Sequence, residues 1–376
     1  MEESPMDRCY DIADSSEMLS PSLVIFREVL DANLRKMIAI AGDVRRLRPH
    51  CKTHKMAAVT KLELELGVTK HKCATFAEAE MLADAGVKDI FLAYNLVGPN
   101  IGRAVRFRQK YPDVEFFVTA DDPTMVEQLS RGMADAGASI GVLLDLDSGQ
   151  HRTGISDPNL AADVYRRMTE SPGIRPAGFH LYDGQNHQRD FAERTQAVLN
   201  GWNFAAALRD GFVRRGWPVP KIVCGGTGSF PVFAKLTDPA IELSPGTCVF
   251  HDCGYGATFP EMDFRPAALM FTRVVSRPTP DRLTCDLGYK AVASDPPKGQ
   301  RVEFPDLPDA EQVLQNEEHL VLQTPKAEKY RPGDALLAIP RHICPTSALH
   351  RWAYVVSGGK VVDKWDVTSR DRQITI

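Results

Sequence analysis

His71-Lys72-Cys73-Ala74-Thr75-Phe76-Ala77-Glu78-Ala79-Glu80-Met81-Leu82-Ala83-Asp84-Ala85-Gly86 is a β-like run that feeds directly into an amphipathic helical run ending on a glycine stop signal. The unit recurs along the chain. Strand-like runs stand at Leu47–His50 before it, and after it at Ile90–Tyr94, Val114–Thr119, Ile140–Asp145, Ala177–Tyr182, Ile222–Gly225 and Cys248–Phe250. Helix-patterned segments such as Pro123 to Ala136, Asn159 to Glu170 and Asp190 to Arg209 fill the intervals. Eight candidate strands alternating with helices over about two hundred residues predict a parallel (β/α)8 TIM-like barrel, with a doubly wound open sheet as the second choice.

Past Phe250 the texture changes. Pro and Gly recur, helical periodicity fades, and alternating runs appear at Ala268–Val275, Arg282–Asp286, His319–Leu322, Ala335–Ile339, Tyr354–Val356 and Lys360–Asp363. This predicts an antiparallel β domain. The expected organisation is an N-terminal extension over 1–20, a barrel over 21–250 and a β domain over 251–376. Pro21-Ser22-Leu23-Val24-Ile25-Phe26 precedes the first barrel strand and suits either domain.

Composition narrows the function classes. With 376 residues, 43% of them hydrophobic, the chain can bury two cores, and a net charge of −4 gives no general attraction for nucleic acid or anionic membrane. No stretch approaches the ~20 apolar residues of a membrane span, and Met1 to Ser20 is polar and acidic rather than a secretion signal. The expected location is cytoplasmic. The eight cysteines are scattered without a C-x-x-C pair, so they read as reduced thiols, most of them buried.

Chemistry concentrates in Arg48-Pro49-His50-Cys51-Lys52-Thr53-His54-Lys55. If the segment is extended, His50, Lys52 and His54 share one side, and Lys52 becomes a lysine flanked by imidazoles, a setting for a covalent nucleophile. A solvated basic turn is the plain alternative. The barrel reading puts Lys52 at the C-terminal end of the first strand, on the face where barrel enzymes keep their chemistry. Cys224-Gly225-Gly226-Thr227-Gly228-Ser229 would then follow the seventh strand, where glycines let backbone amides approach a phosphate, although the same residues also make an ordinary tight turn. An amine and a phosphate cradle together suit pyridoxal phosphate.

With these motifs the chain resembles the fold-type III pyridoxal phosphate enzymes related to alanine racemase, and within them the branch of D-threonine aldolase and the metal-dependent D-serine and 3-hydroxyaspartate dehydratases. The matching residues are Arg48 to Thr53, Leu144 to Gly154, Gly225-Gly226-Thr227, Glu242 to Gly246, Cys285 to Lys290 and Glu317-Glu318-His319. The resemblance selects Lys52 over Lys55 as the cofactor lysine. It implies that Arg152 approaches the phenolic oxygen, with a salt bridge to Asp145 or Asp147 as the rival role, and that Tyr182 contacts the cofactor, with a buried structural tyrosine as the rival. Gly226, Thr227 and Gly228 are the phosphate candidates. Cys248 stands where the family often has an aromatic residue, so no contact is carried onto it.

In a strand, His342 and Cys344 of Arg341-His342-Ile343-Cys344-Pro345-Thr346 would face the same way, and the resemblance makes them ligands of a divalent ion, Zn2+ or Mn2+. The implied activity is lyase chemistry on D-β-hydroxy-α-amino acids: retro-aldol cleavage first, dehydration of D-serine or D-threo-3-hydroxyaspartate second. An amino-acid racemase or a non-catalytic pyridoxal phosphate carrier are the further alternatives. His54 and His187 are candidate bases, each also readable as a surface or supporting histidine. The resemblance also implies a homodimer with its active site at the subunit interface.

Overall fold

The structure, a computed structural model, describes residues 7–376. Among them the chain runs β1 (Ser22–Phe26), α1 (Arg27–Ala41), α2 (Ala57–Glu65), β2 (Lys70–Cys73), α3 (Phe76–Asp84), β3 (Asp89–Asn95), α4 (Pro99–Lys110), β4 (Glu115–Ala120) and α5 (Pro123–Asp135). It continues with β5 (Ile140–Asp147), α6 (Pro158–Glu170), β6 (Ile174–Tyr182), α7 (Phe191–Arg214), β7 (Ile222–Cys224), α8 (Phe230–Ala234), β8 (Ile241–Leu243) and α9 (Cys253–Thr258). The remainder is β9 (Ala268–Thr279), β10 (Arg282–Cys285), β11 (Val302–Glu303), β12 (Glu311–Gln315), β13 (Leu320–Gln323), β14 (Ala335–Pro340), α10 (Ile343–Leu349), β15 (Trp352–Ser357) and β16 (Lys360–Asp366).

Strands β2 to β8 pair in chain order, all parallel. The position before β2 is taken by Leu47–His50, which bridges β8 through Leu47↔Leu243 and β2 through His50↔Lys72. Pro49 has no N–H to give, so this segment makes bridges rather than a full ladder: Arg48 donates to the Leu243 carbonyl, and Lys72 donates to that of Pro49. The last strand is Ile241–Leu243, whereas Thr247–Val249 is a 3-10 turn, which corrects the expectation of a strand at Cys248–Phe250. Glu242 hides that strand, because a glutamate breaks the apolar run. Its carboxylate is neutralised by Arg48 at 2.5 Å and Lys70 at 2.8 Å.

Phe91, Phe117, Leu143, Ala177 and Val223, one from each strand β3 to β7, make the buried apolar layer of the barrel. A filled interior leaves the strand ends as the place for a ligand. Gly178 lets β6 approach the residue before β7: at φ +114°, a Cβ there would lie 1.8 Å from the Lys221 carbonyl oxygen. Helices α5, α6 and α7 begin as their sequences announce, with Asp122, Asp157 and Asp190 capping the first-turn amides and proline opening α5 and α6.

The second sheet orders β12-β13-β10-β9-β1-β15-β16, with β14 also on β9 and β11 on β14. It is mixed rather than purely antiparallel, because β1 runs antiparallel to β9 and parallel to β15. All five residues of β1 are buried. Two compact units result among the described residues, one from those up to Met37 with Thr53–Met56 and Thr247–Arg370, the other from Ile38–Lys52, Ala57–Gly246 and Asp371–Ile376. Among the described residues no helix is long and apolar enough to cross a membrane.

Candidate active site

The extended run ends at His50, and Cys51–Thr53 winds into a 3-10 turn. The expected alternation of His50, Lys52 and His54 on one side therefore does not occur. His50 accepts the Lys52 amide on Nδ1 at 3.3 Å, and Lys52 comes to line a cavity of about 560 Å³ at the ends of the barrel strands. His54 is buried, with Nδ1 accepting the Met56 amide at 3.1 Å and its ring edge-on to Phe250. The neutral ring then carries its proton on Nε2, which makes it a donor. His187 is exposed on the segment after β6 and does not line the cavity.

Tyr182, at the end of β6, organises the cavity wall. Arg152 lies 5.0 Å from its ring centroid, Lys72 Nζ 5.6 Å and Lys52 Nζ 6.0 Å. The carboxylates that could have neutralised Arg152 are engaged elsewhere: Asp145 with His180 Nδ1 and Asp147 with His151 Nδ1, each at 2.7 Å. Gly154 makes that arrangement possible, since at φ +94° its missing Cβ would lie 2.8 Å from the Asp147 amide.

Burial and the nearby Lys52 charge push Lys72 down to about 7, against the pull of Asp145, Asp183 and Cys224. Burial also lowers His180, although Asp145 raises it, and His180 Nε2 has no hydrogen-bond partner among the described residues. Neither Lys72 nor His180 was singled out by sequence reasoning. The available signals were a lysine inside a strand and a histidine interrupting the apolar run Ala177 to Leu181.

The glycine loop is scaffolded from behind. The Gly225 amide donates to Leu181, Ser229 Oγ donates to Asp183 at 2.6 Å, and Thr227 Oγ1 accepts the Gly246 amide at 3.1 Å. The Thr227 and Gly228 amides have no acceptor among the described residues. Burial raises Asp183, although the Ser229 and Asn186 hydrogen bonds lower it. A side chain on Gly226 would come within 3.1 Å of the Tyr182 ring, so the loop and the cavity wall adjoin. Free amides, cations lacking carboxylates and an orphaned imidazole nitrogen fit a phosphorylated, anionic ring such as pyridoxal phosphate.

In the other unit, His342 is the N-cap of α10 and Cys344 lies in its first turn, so the pair stands at a helix start and not in a strand. Pro340 ends β14, and the chain turns there. A side-chain hydrogen bond still joins His342 to Cys344, and Asp295 Oδ2 lies 2.5 Å from His342 Nδ1. Burial lowers His342, but Cys344 and Asp295 outweigh it and hold the imidazole up at about 9. Thr53 and Thr247 hydroxyls lie 3.2 and 3.6 Å from the Cys344 sulfur. An imidazole and a thiol in contact, with a carboxylate on the second ring nitrogen, form a donor set that fits a zinc-like ion. His50, Cys51 and Glu78 also bring ligand atoms within 4.8 Å of one another, but Glu78 already serves the start of α3 by accepting the Ala74 amide at 2.6 Å.

The family model described as alanine racemase, N-terminal domain matches residues 25–250, well over half of the chain. The chain belongs to the alanine racemase-like family. The model described as putative serine dehydratase domain matches residues 267–356. D-threonine aldolase from Arthrobacter sp is 33% identical, over 93% of this chain and 92% of that protein. 3-Hydroxy-D-aspartate aldolase from Paracoccus denitrificans (strain Pd 1222) is 27% identical, over 96% and 94%. The crystal structure of D-threonine aldolase from Filomicrobium marinum superposes with a TM-score of 0.86 at 27% identity, covering 94% of this chain and 96% of that one. For this alanine racemase-like chain, pyridoxal phosphate is the expected cofactor.

Proposed function

We propose that the chain is a pyridoxal phosphate- and divalent metal-dependent lyase that cleaves the Cα–Cβ bond of D-β-hydroxy-α-amino acids, giving glycine and an aldehyde. The observation that carries the reading is the opening of Lys52 on a cavity whose wall holds Lys72 and Arg152 without an ion-paired carboxylate among the described residues. The near full-length likeness to two aldolases supports carbon–carbon cleavage.

Pyridoxal phosphate, when bound, supplies the sink for electrons released at Cα. Lys52 would hold it through its amine, Gly226-Thr227-Gly228 would take the phosphate, with the Thr227 and Gly228 amides free to donate and that of Gly226 bonded to Ser229 Oγ, and Arg152 and Tyr182 are the further residues that would contact it. His342 and Cys344 would hold Zn2+ or Mn2+, which supplies Lewis acidity to a substrate hydroxyl. His54 and His187 are the candidate bases for the hydroxyl proton. The donor tautomer of His54 suits it to giving a proton back, whereas His187 is exposed and outside the lining of the Lys52 cavity, which counts against it as the acceptor. The enzyme acts as a cytoplasmic homodimer with its active site at the subunit interface, and a monomer at micromolar concentration in sedimentation contradicts that part.

Dehydration is the second reading, favoured by the cysteine at position 344 and by the serine dehydratase domain match. Incubating the metal-loaded holoenzyme with D-threonine, D-serine and D-threo-3-hydroxyaspartate separates the two. Glycine plus aldehyde means aldolase, and a keto acid plus ammonia means dehydratase. Either product pair formed in the presence of a chelator refutes the metal dependence, and inversion at Cα with neither product pair favours racemisation.

A further inference from the structure

Lys72 lies in the middle of β2 and is 3% exposed, yet its ammonium opens on the cavity instead of meeting a carboxylate. The bridge to His50 sets it level with that residue, two positions before Lys52, on the deep side of the cavity. Charged and titratable groups face it from every neighbouring element. They are His50 and Lys52 at the first barrel position, Asp145 on β5 and Arg152 beyond it, His180 and Tyr182 on β6 with Asp183 beyond, and Cys224 on β7. The acids among them are already bonded, Asp145 to His180 and Asp183 to Ser229 and Asn186.

A buried ammonium without an acceptor destabilises the fold, so its partner comes with a ligand. That ligand atom has to be anionic, deep and next to whatever Lys52 holds. In pyridoxal phosphate the phenolic oxygen is ortho to the carbon that a lysine amine attacks, whereas the phosphate arm reaches the glycine loop.

We propose that Lys72 holds the ionised phenolic oxygen of the cofactor from the deep side, sharing it with Arg152. The inference rests on the cofactor reading of Lys52. A positive charge so close to the nitrogen joining Lys52 to the cofactor disfavours a proton there, and that nitrogen therefore loses its proton at lower pH than it would alone.

The test uses full-length protein reconstituted with pyridoxal phosphate, as wild type and as Lys72→Met, Lys72→Gln and Lys72→Arg. Four quantities are read: cofactor dissociation constant, the visible band titrated between about pH 6 and 10, melting of the cofactor-free protein, and substrate KM. Lys72→Met and Lys72→Gln should bind the cofactor at least about tenfold more weakly and move the band's midpoint up by about one pH unit. Lys72→Arg should restore both. Cofactor-free Lys72→Met should melt no lower than wild type, because a buried charge is gone, and a purely structural lysine would give the opposite. Unchanged affinity and midpoint overturn the proposal. A changed substrate KM with an unmoved titration also overturns it, by assigning Lys72 to the substrate carboxylate. If wild type itself gains no visible band, the cofactor reading falls instead, independently of any variant.

Discussion

Arg48 is the side chain whose loss should be most costly to the barrel. Its guanidinium is fully buried, 2.5 Å from Glu242 and 2.8 Å from Asp89, and the hydroxyl of Ser244 donates to its carbonyl. Burial alone would raise Glu242, but Arg48, with Lys70 and Lys221, overrides it and holds the carboxyl at about 2, down from 4.5. A depressed acid contributes stability that is present above its unfolded pKa and lost as pH falls through its folded one. Here that is about 3 kcal/mol, disappearing between about pH 4.5 and 2. Arg48→Met leaves Glu242 with only its lysine neighbours, and breaking a buried pair in this way costs about 3 to 5 kcal/mol at neutral pH. Once Glu242 regains an ordinary or raised pKa it takes up a proton on mild acidification, so the difference between variant and wild type should shrink toward pH 4.5. Urea denaturation followed by circular dichroism at pH 7 and at pH 4.5 reads both numbers. A loss below about 1 kcal/mol at pH 7, or a loss that grows on acidification, refutes the reasoning.

Lys52→Ala should abolish the visible band formed with pyridoxal phosphate, while Lys55→Ala should leave it, since the Lys55 ammonium donates to the Ser369 carbonyl and its own carbonyl accepts the Ser369 amide, as absorbance spectra will show. Gly178→Ala forces a methyl into the Lys221 carbonyl at a positive φ and should cost about 3 kcal/mol or more, seen as a lowered melting temperature in calorimetry. Cys344→Ala should lose most Zn2+ in equilibrium dialysis and most lyase turnover, yet keep the visible band. Retained metal would remove Cys344 from the donor set.

The parts of the fold that could be read from the chain are those where burial leaves an uninterrupted apolar run. β5 announces itself in this way and β6 does so despite His180, while α5 to α7 are marked by their aspartate caps, joined by an opening proline in α5 and α6. β8 did not, because Glu242 is buried as an ion-pair partner and looks polar in one dimension. The turn at Cys51–Thr53 was illegible for a different reason. Nothing local distinguishes it from an extended segment, and the bridges that end the strand at His50 come from residues far along the chain. Lys72 escaped notice because a lysine in a four-residue strand reads as an exposed edge until its neighbours are known.

The place of β1 in its sheet bears on how the chain can be made. Its partners are Ala268–Phe271 and Ala353–Val356, so this buried strand is made before the whole parallel sheet and waits until that sheet is complete before either edge is covered. Until then it is an adhesive ribbon, and a clone beginning at residue 251 would expose the matching edges of β9 and β15 instead. Expression of that fragment should yield inclusion bodies, and adding Pro21–Phe26 as a separate peptide should recover soluble material.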